Sequence, residues 1–207
     1  MIIVHHLENS RSQRILWLLE ELGLDYEVKR YERDPKTMLA PPELRRIHPL
    51  GKSPIVEVDG HVLIETGAIV DYLVMREGGR LGAPSDAVAG QRWRQFLHYA
   101  EGSMMPPQFG LLIVRRLGLL GRPARKPLLR MFAVHLAWLE SELADRDWFA
   151  GDAFSAADVM MSFPLEVAVN RAGLDHRYPR LLSWLARTQG RPAYRNALER
   201  GGPYAYA

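Results

Sequence analysis

The apolar positions of the first eighty residues alternate between the two-residue period of strands and the longer period of helices. Residues 1–6 and 26–31 have strand spacing. Between them, apolar side chains recur three and four residues apart over residues 15–22, and Gly23 supplies a stop. This part of the chain therefore predicts a strand, a helix and a second strand.

Four more elements follow before residue 80. A short helix starts at residues 41–43 and ends before Pro49, because a residue that precedes proline disfavours the helical conformation. Residues 55–64 predict a hairpin, since the central Asp59-Gly60 suits a tight primed turn, and residues 66–76 predict a helix. The order βαβαββα is typical of a small α/β layer with a crossover connection.

Glycine and proline are concentrated in residues 78–84, where the mixed pattern gives way to a helical one. The apolar stripe within residues 128–143 illustrates the helical pattern. We therefore expect an α/β domain over residues 1–79, a linker over 80–87 and an all-helical domain over 88–207.

Composition narrows the chemistry that the chain can perform. With 207 residues, 47% of them apolar, it can bury a substantial core, and the lack of cysteine excludes disulfides and a cysteine nucleophile. The seven histidines lack metal-site spacing and the arginines are scattered, so we expect no metal and no nucleic-acid partner. No apolar run reaches the roughly 18 residues of a membrane span, and no secretory signal is evident. We expect a cytoplasmic protein without a membrane partner.

The segment Ser155-Ala156-Ala157-Asp158 has the spacing of a reciprocal helix cap. In this motif the serine hydroxyl accepts a bond from the third helical amide while the acid reaches back to the serine amide. A catalytic aspartate is the alternative interpretation of Asp158. Capping explains the residue and its spacing together, so we favour the structural role.

Pro54 stands at the entry of a predicted strand. A cis bond before it would let the main chain of Ser53 face outward and pair with an extended peptide, whereas an ordinary trans proline beginning a strand needs no ligand. Glu65 and Thr66 open the next helix, where a hydroxyl, main-chain amides and an acid suit a zwitterionic amino-acid head. A helix cap is again the simpler alternative.

Ser10 lies between the first strand and the first helix, where strand ends and helix starts commonly converge on a ligand. Its hydroxyl could cap the helix with Gln13 three residues later. It could also donate a hydrogen bond to a bound thiolate and so stabilise the charged form. Both interpretations remain open from the residues alone.

Five motifs taken together resemble the cytosolic glutathione transferase family, and the resemblance spans nearly the whole chain. In chain order they are Asn9-Ser10-Arg11-Ser12-Gln13-Arg14, Pro41-Pro42-Glu43-Leu44, His48-Pro49-Leu50-Gly51-Lys52-Ser53-Pro54, Glu65-Thr66-Gly67-Ala68-Ile69 and Phe154-Ser155-Ala156-Ala157-Asp158. The resemblance implies a thioredoxin-like α/β N-terminal domain, an all-α C-terminal domain and a homodimer. It also implies glutathione as co-substrate and a small hydrophobic electrophile as the second substrate.

The resemblance assigns roles to individual residues. Ser10 matches the catalytic hydroxyl of the serine-type classes. By the same analogy Pro54 is cis and the Ser53 main chain pairs with the cysteinyl part of glutathione. Glu65 and Thr66 hold the γ-glutamyl head, with threonine in place of the usual serine.

The other binding residues implied by the resemblance are His48 and Lys52, which would lie near the glycyl carboxylate. Glu101 would reach the glutathione amine of the neighbouring subunit. Asn9 and Ser12 are alternative polar partners of the sulfur. Two other functions stay open: glutathione-dependent reduction of disulfides or peroxides, and a binding or scaffold protein without turnover.

Overall fold

The computed structural model describes all 207 residues and contains four strands and nine α-helices. A π-helical turn (Ala100–Met104) and a 3-10 turn (Gly118–Gly121) flank α5. The α-helices and strands are β1 (Ile2–Leu7), α1 (Gln13–Leu22), β2 (Tyr26–Tyr31), α2 (Glu43–Ile47), β3 (Ile55–Val58), β4 (His61–Ile64), α3 (Thr66–Arg76), α4 (Ala87–Tyr99), α5 (Met105–Arg116), α6 (Arg122–Glu142), α7 (Ala156–Arg171), α8 (Pro179–Gln189) and α9 (Pro192–Gly201).

A four-stranded mixed sheet of order β2-β1-β3-β4 lies in the amino-terminal part. β1 pairs in parallel with β2 and antiparallel with β3, and β3 pairs antiparallel with β4. The parallel pair needs a crossover connection, which α1 supplies. The β3–β4 turn has positive φ at both Asp59 (52°) and Gly60 (80°), which is the primed geometry that this dipeptide predicts. The predicted βαβαββα order is confirmed.

Contacts divide the chain into two compact units, and no helix has the length and apolar composition that crossing a membrane requires. The first unit comprises residues 1–82, 189–205 and 207, and the second comprises 83–188 and 206. The limits drawn from the sequence, namely 1–79, 80–87 and 88–207, stay a prediction.

The carboxyl-terminal helix α9 packs on α1 within the first unit. The guanidinium of Arg191 donates to the Glu21 carboxylate over 2.5 Å and 2.8 Å. The Trp17 and Tyr194 rings meet edge to face with centroids 5.2 Å apart. A helical pattern in the sequence predicts the element type but not the surface that the helix covers, and the packing of α9 on α1 is therefore seen only in the structure.

The predicted reciprocal cap begins α7, the helix buried along nearly its whole length in the second unit. The Asp158 carboxylate accepts hydrogen bonds from the Ser155 amide (3.0 Å), the Phe149 amide (3.0 Å) and the Trp184 indole (3.3 Å). Asp158 is fully buried. The capping interpretation is therefore confirmed, and the same carboxylate also joins α7 to α8 and to the segment before α7.

Burial raises the pKa of Asp158 to about 6, and its hydrogen bonds oppose this shift only in part. Between about pH 4 and pH 6 the native carboxyl holds a proton that the unfolded chain, with a pKa near 3.9, has released. The wild-type free energy of unfolding should therefore fall by about 2 kcal/mol over this range, relative to Asp158→Asn. Urea unfolding of both proteins at several pH values measures the difference. Parallel pH profiles would contradict the expectation.

Candidate functional site

The predicted site residues of the first unit lie on four segments: the loop after β1, the start of α1, the loop before β3 and the start of α3. The Ser53 side chain ties two of these segments together. Its hydroxyl accepts a hydrogen bond from the Leu7 amide (3.2 Å) and donates one to the His5 carbonyl (3.0 Å). The entry of β3 is thereby fixed against the end of β1.

The Ser53–Pro54 peptide bond is cis, as the resemblance implied. The regular β1–β3 ladder ends at His5 and Ile55, so Ser53 lies just beyond it. Outside the regular elements no main-chain hydrogen bond involves the Ser53 amide or carbonyl. These two groups can therefore pair with an added extended peptide.

Three buried side chains form a chain of hydrogen bonds at the start of α1. The Ser10 and Ser12 hydroxyl oxygens are 2.8 Å apart, and the Ser12 oxygen lies 2.9 Å from Nδ1 of His6. The Ser12 amide also donates to the Ser10 oxygen over 3.2 Å. Ser10 retains 6% of its surface exposed, whereas Ser12 has none. The inner end of this chain is closed and its outer end can meet a ligand.

Of the two interpretations left open for Ser10, the one in which it caps α1 with Gln13 is not what the structure shows. The N-cap residue of α1 is Ser12, and its side chain makes no capping bond. The Ser10 hydroxyl accepts from the Ser12 amide instead of from Gln13. The Ser10 hydroxyl therefore keeps its own O–H, which no amide of α1 can use, available for another partner.

His6 was missed as a site residue because the sequence indicated no role for the β1 histidines beyond that of possible metal ligands. Burial lowers the pKa of His6 to about 4, and the positive charge of Arg30 adds to the effect. The ring is therefore neutral at physiological pH and has a single N–H. A side chain built at Gly201 in α9 would approach the second ring nitrogen to 3.4 Å, so α9 closes that side. The two-residue period of β1, which separates the faces of His5 and His6, was the only feature of the sequence that could have pointed to His6.

His5 and His6 project to opposite faces of β1, as the strand period predicts. The His5 ring lies 2.9 Å from the Tyr31 hydroxyl and 2.6 Å from the Glu57 carboxylate, and has no bond to the serines. Only His6 belongs to the Ser10 cluster.

Asn9 has a left-handed backbone (φ 49°), which asparagine tolerates better than most residues. Its side-chain oxygen accepts a hydrogen bond of 2.7 Å from the Ala205 amide. The carboxyl-terminal tail thus occupies the oxygen of Asn9. Its predicted contact with the ligand stays a prediction.

Glu65 precedes α3 in a strained conformation, with φ at +66°. Non-glycine residues in this region cost of order 1–3 kcal/mol and concentrate at functional sites. The Glu65 side chain is exposed, makes no capping bond and forms no ion pair, while Thr66 beside it is buried. An unpaired acid thus stands next to the positive end of an eleven-residue helix.

The remaining predicted binding residues are Lys52, His48 and Glu101. No hydrogen bond joins Lys52 or His48 to Ser10 or Ser53. Lys52 is exposed on the loop before β3, and the half-buried His48 accepts a 3.4 Å bond from the Leu50 amide through Nδ1. Lys52 and His48 both belong to the first unit. Glu101 lies in the π-helical turn of the second unit. Its predicted role stays a prediction.

Comparison with known proteins identifies the family. The model of the glutathione S-transferase N-terminal domain matches residues 1–75, and that of the C-terminal domain matches residues 122–187. Glutathione S-transferase 3 of Schizosaccharomyces pombe is 36% identical over 97% of this chain and 88% of its own length. A glutathione S-transferase structure from Actinobacillus pleuropneumoniae has a TM-score of 0.87 at 32% identity, covering 97% of this chain and 93% of that one.

A second solved structure is that of a sphingomonad glutathione S-transferase complexed with glutathione. It has a TM-score of 0.81 at 25% identity, and the match covers 97% of this chain and 98% of that chain. The similarity therefore extends across both units and is not limited to a single motif.

Ser53→Ala should lower the free energy of unfolding by about 1–2 kcal/mol, because the buried Leu7 amide loses its acceptor. Urea denaturation measures the loss. Lys52→Ala is the matched control, since it alters an exposed neighbour and should change stability by no more than about 0.5 kcal/mol. Equal effects of the two substitutions would show that the Ser53 hydroxyl does not join the strands.

Proposed function

The chain belongs to the glutathione S-transferase family, and on that premise we propose that it joins the sulfur of glutathione to small hydrophobic electrophiles by means of a thiolate held at Ser10. The observation that carries this proposal is the buried hydrogen-bond chain from His6 through Ser12 to Ser10. It leaves the Ser10 hydroxyl as a donor at the most exposed member of the chain, since Ser10 is 6% exposed, His6 2% and Ser12 not at all.

The proposed direction of the hydrogen bonds makes Ser10 the last donor. The Ser12 hydroxyl oxygen lies 2.8 Å from the Ser10 oxygen and 3.4 Å from the Leu7 carbonyl oxygen, so Ser10 is the nearer acceptor. In the proposed bound state the neutral His6 ring donates from Nδ1 to the Ser12 oxygen. The Ser12 hydroxyl then donates a hydrogen bond to the Ser10 oxygen, which also accepts one from the Ser12 amide. Ser10 has both acceptor positions filled and turns its own O–H toward the sulfur. Because hydrogen bonds in such a chain polarise one another, the last donor is strengthened.

This arrangement supplies what thiol activation requires. A free thiol with a pKa near 8.5 is mostly protonated at neutral pH. Shifting the thiol–thiolate equilibrium a hundredfold toward thiolate corresponds to about 2.7 kcal/mol. One charge-assisted hydrogen bond from Ser10 together with the positive end of α1 is of that size. The thiolate then attacks the electrophilic carbon and its leaving group departs.

The tripeptide is held through its ends and its main chain. The Ser53 amide and carbonyl pair with the cysteinyl residue, as their lack of partners in the chain allows. The unpaired Glu65 carboxylate meets the γ-glutamyl ammonium, and Thr66 with the first amides of α3 meets its carboxylate. Lys52 neutralises the glycyl carboxylate, and His48 lies near it.

Three further elements of the proposal come from the family rather than from these contacts. The enzyme works as a cytoplasmic homodimer, and Glu101 contacts the glutathione amine in the neighbouring subunit. Asn9 and Ser12 complete the polar surroundings of the glutathione. The chain itself has no cysteine, so no relay between two protein thiols contributes to the reaction.

Calorimetry with reduced glutathione, followed by an assay with a chlorinated nitrobenzene, tests the proposal. We expect saturable binding below millimolar concentration and measurable conjugation. Ser10→Ala should slow conjugation by at least about ten-fold, since it loses one charge-assisted bond of roughly 1.5–3 kcal/mol while the positive end of α1 remains, and should change glutathione affinity only a few-fold. Binding without conjugation would leave a scaffold role. A fully active Ser10→Ala enzyme would transfer the catalytic role to Asn9 or Ser12.

His6→Leu should raise the pKa of the bound glutathione thiol, because Ser12 loses its donor and turns away from Ser10. The expected effect is about a five-fold loss of kcat near pH 6.5 with KM for glutathione within two-fold, equivalent to about 1 kcal/mol. His6→Asn, whose amide can donate from nearly the same position, should restore part of the loss. Thiolate absorbance as a function of pH measures the shift.

His5→Leu is the matched control for this experiment. It removes a buried histidine from the same strand but from the opposite face, where the ring bonds to Tyr31 and Glu57. It should lower stability without moving the pKa of the bound thiol. An equal shift in the His5 and His6 variants would refute the directional role of His6 and leave only a packing role.

A further inference from the structure

A long basic segment runs through the second unit. Residues 102–139 contain no aspartate or glutamate, but they contain six cations. They include the end of α5, the 3-10 turn and most of α6. The cations are Arg115, Arg116, Arg122, Arg125, Lys126 and Arg130. The modest net charge of the whole chain conceals this local excess.

Three helix ends bring part of this charge to one cavity of about 280 Å³. Arg115 comes from the last turn of α5, Arg122 and Arg125 from the first turns of α6, and Asn170 and Arg171 from the end of α7. We call this the arginine cavity. Four guanidinium groups and one amide thus line a single space.

The arginine cavity has no counter-charge. No acidic residue lines it, and Arg115, Arg122 and Arg125 form no ion pair or hydrogen bond through their side chains. Arg171 is held by a neutral partner: it donates to the Tyr206 hydroxyl and lies over the ring, 5.1 Å from its centroid. Like charges gathered without an acid repel one another, so an anion would stabilise the cluster.

The location of two of these arginines adds a second unfavourable electrostatic interaction to the repulsion among the guanidinium groups. Arg122 and Arg125 lie at the positive end of the 21-residue helix α6, which has no acid in its first turn. Cations are favoured at the opposite end of a helix, where Arg115 is found in α5. An anion in the cavity would meet both the guanidinium groups and the helix end.

Gly121 fixes the approach of the two helices. A Cβ atom at this position would lie 2.1 Å from the Val114 carbonyl oxygen, so only glycine lets α6 start this close to α5. The close approach puts Arg122 beside the last turn of α5. The cavity wall is completed by the apolar side chains of Leu111 and Val114, both buried.

We propose that the arginine cavity binds a phosphate group. A phosphate offers oxygens in several directions, each able to take a guanidinium fork, whereas a planar carboxylate is satisfied by one or two arginines. The volume accommodates the phosphate and a small part of the molecule that bears it. A soluble phosphorylated compound and a lipid headgroup share this chemistry. Leu119 and Leu120 are 70% and 85% exposed on the adjoining turn. Their exposure is compatible with either ligand source.

Titration calorimetry with inorganic phosphate, at constant ionic strength and without glutathione, tests the proposal directly. Co-sedimentation with phosphatidylcholine vesicles, with and without phosphatidic acid, tests the lipid source. The probe variant is Arg122→Gln with Arg125→Gln. The control is Arg116→Gln with Arg130→Gln, which removes the same charge from the same segment at positions that do not line the cavity.

The wild type should bind phosphate or acidic vesicles saturably. The cavity double variant should bind at least ten-fold more weakly, with the control within two-fold of the wild type. Binding of phosphate in solution assigns a soluble ligand, and retention on acidic vesicles alone assigns a lipid headgroup. Either result supports the site. Absence of both, or equal losses in the two double variants, would overturn it. Glutathione binding is measured separately, so its failure has no bearing on this outcome.

Discussion

Two hydrogen bonds of the Ser53 side chain hold the entry of β3 against the end of β1, and the geometry of the candidate site depends on them. Because the hydroxyl makes these bonds, the main-chain amide and carbonyl of Ser53 are spared for a peptide ligand. The same contact fixes the point at which the chain leaves β1 and turns toward Ser10. One side chain thus relates the part of the site that would grip a tripeptide to the part that would meet its sulfur.

β1 serves two surfaces at once. Its two-residue period sends His5 toward Tyr31 and Glu57 and sends His6 toward Ser12. The first histidine joins neighbouring strands, and the second lies 2.9 Å from the buried Ser12 hydroxyl. Burial keeps the His6 ring neutral, and neutrality gives it the single directed proton that a hydrogen-bond chain needs. Desolvation, ordinarily a cost, here fixes the charge state of the ring.

Local rules predicted most of the fold. The primed turn at Asp59-Gly60 and the cap formed by Ser155 with Asp158 depend on residues a few positions apart, so their chemistry can be read along the chain. The family motifs identified Ser10 and Ser53, but not how they are supported. The bond between Ser12 and His6, the tie from Asn9 to Ala205 and the packing of α9 on α1 depend on tertiary contacts. No periodicity or spacing encodes which surfaces meet across such distances.

The packing of α9 makes the first unit discontinuous in sequence, with residues 83–188 inserted between its two segments. Glu21 and its partner Arg191 are 170 positions apart. A ribosome making this protein therefore releases α1 long before the helix that will cover it exists. Loop closure over such a span is slow compared with local helix formation. The side of α1 that α9 covers, and with it the ring of His6, therefore stays exposed on the growing chain for as long as the intervening residues 83–188 are being made.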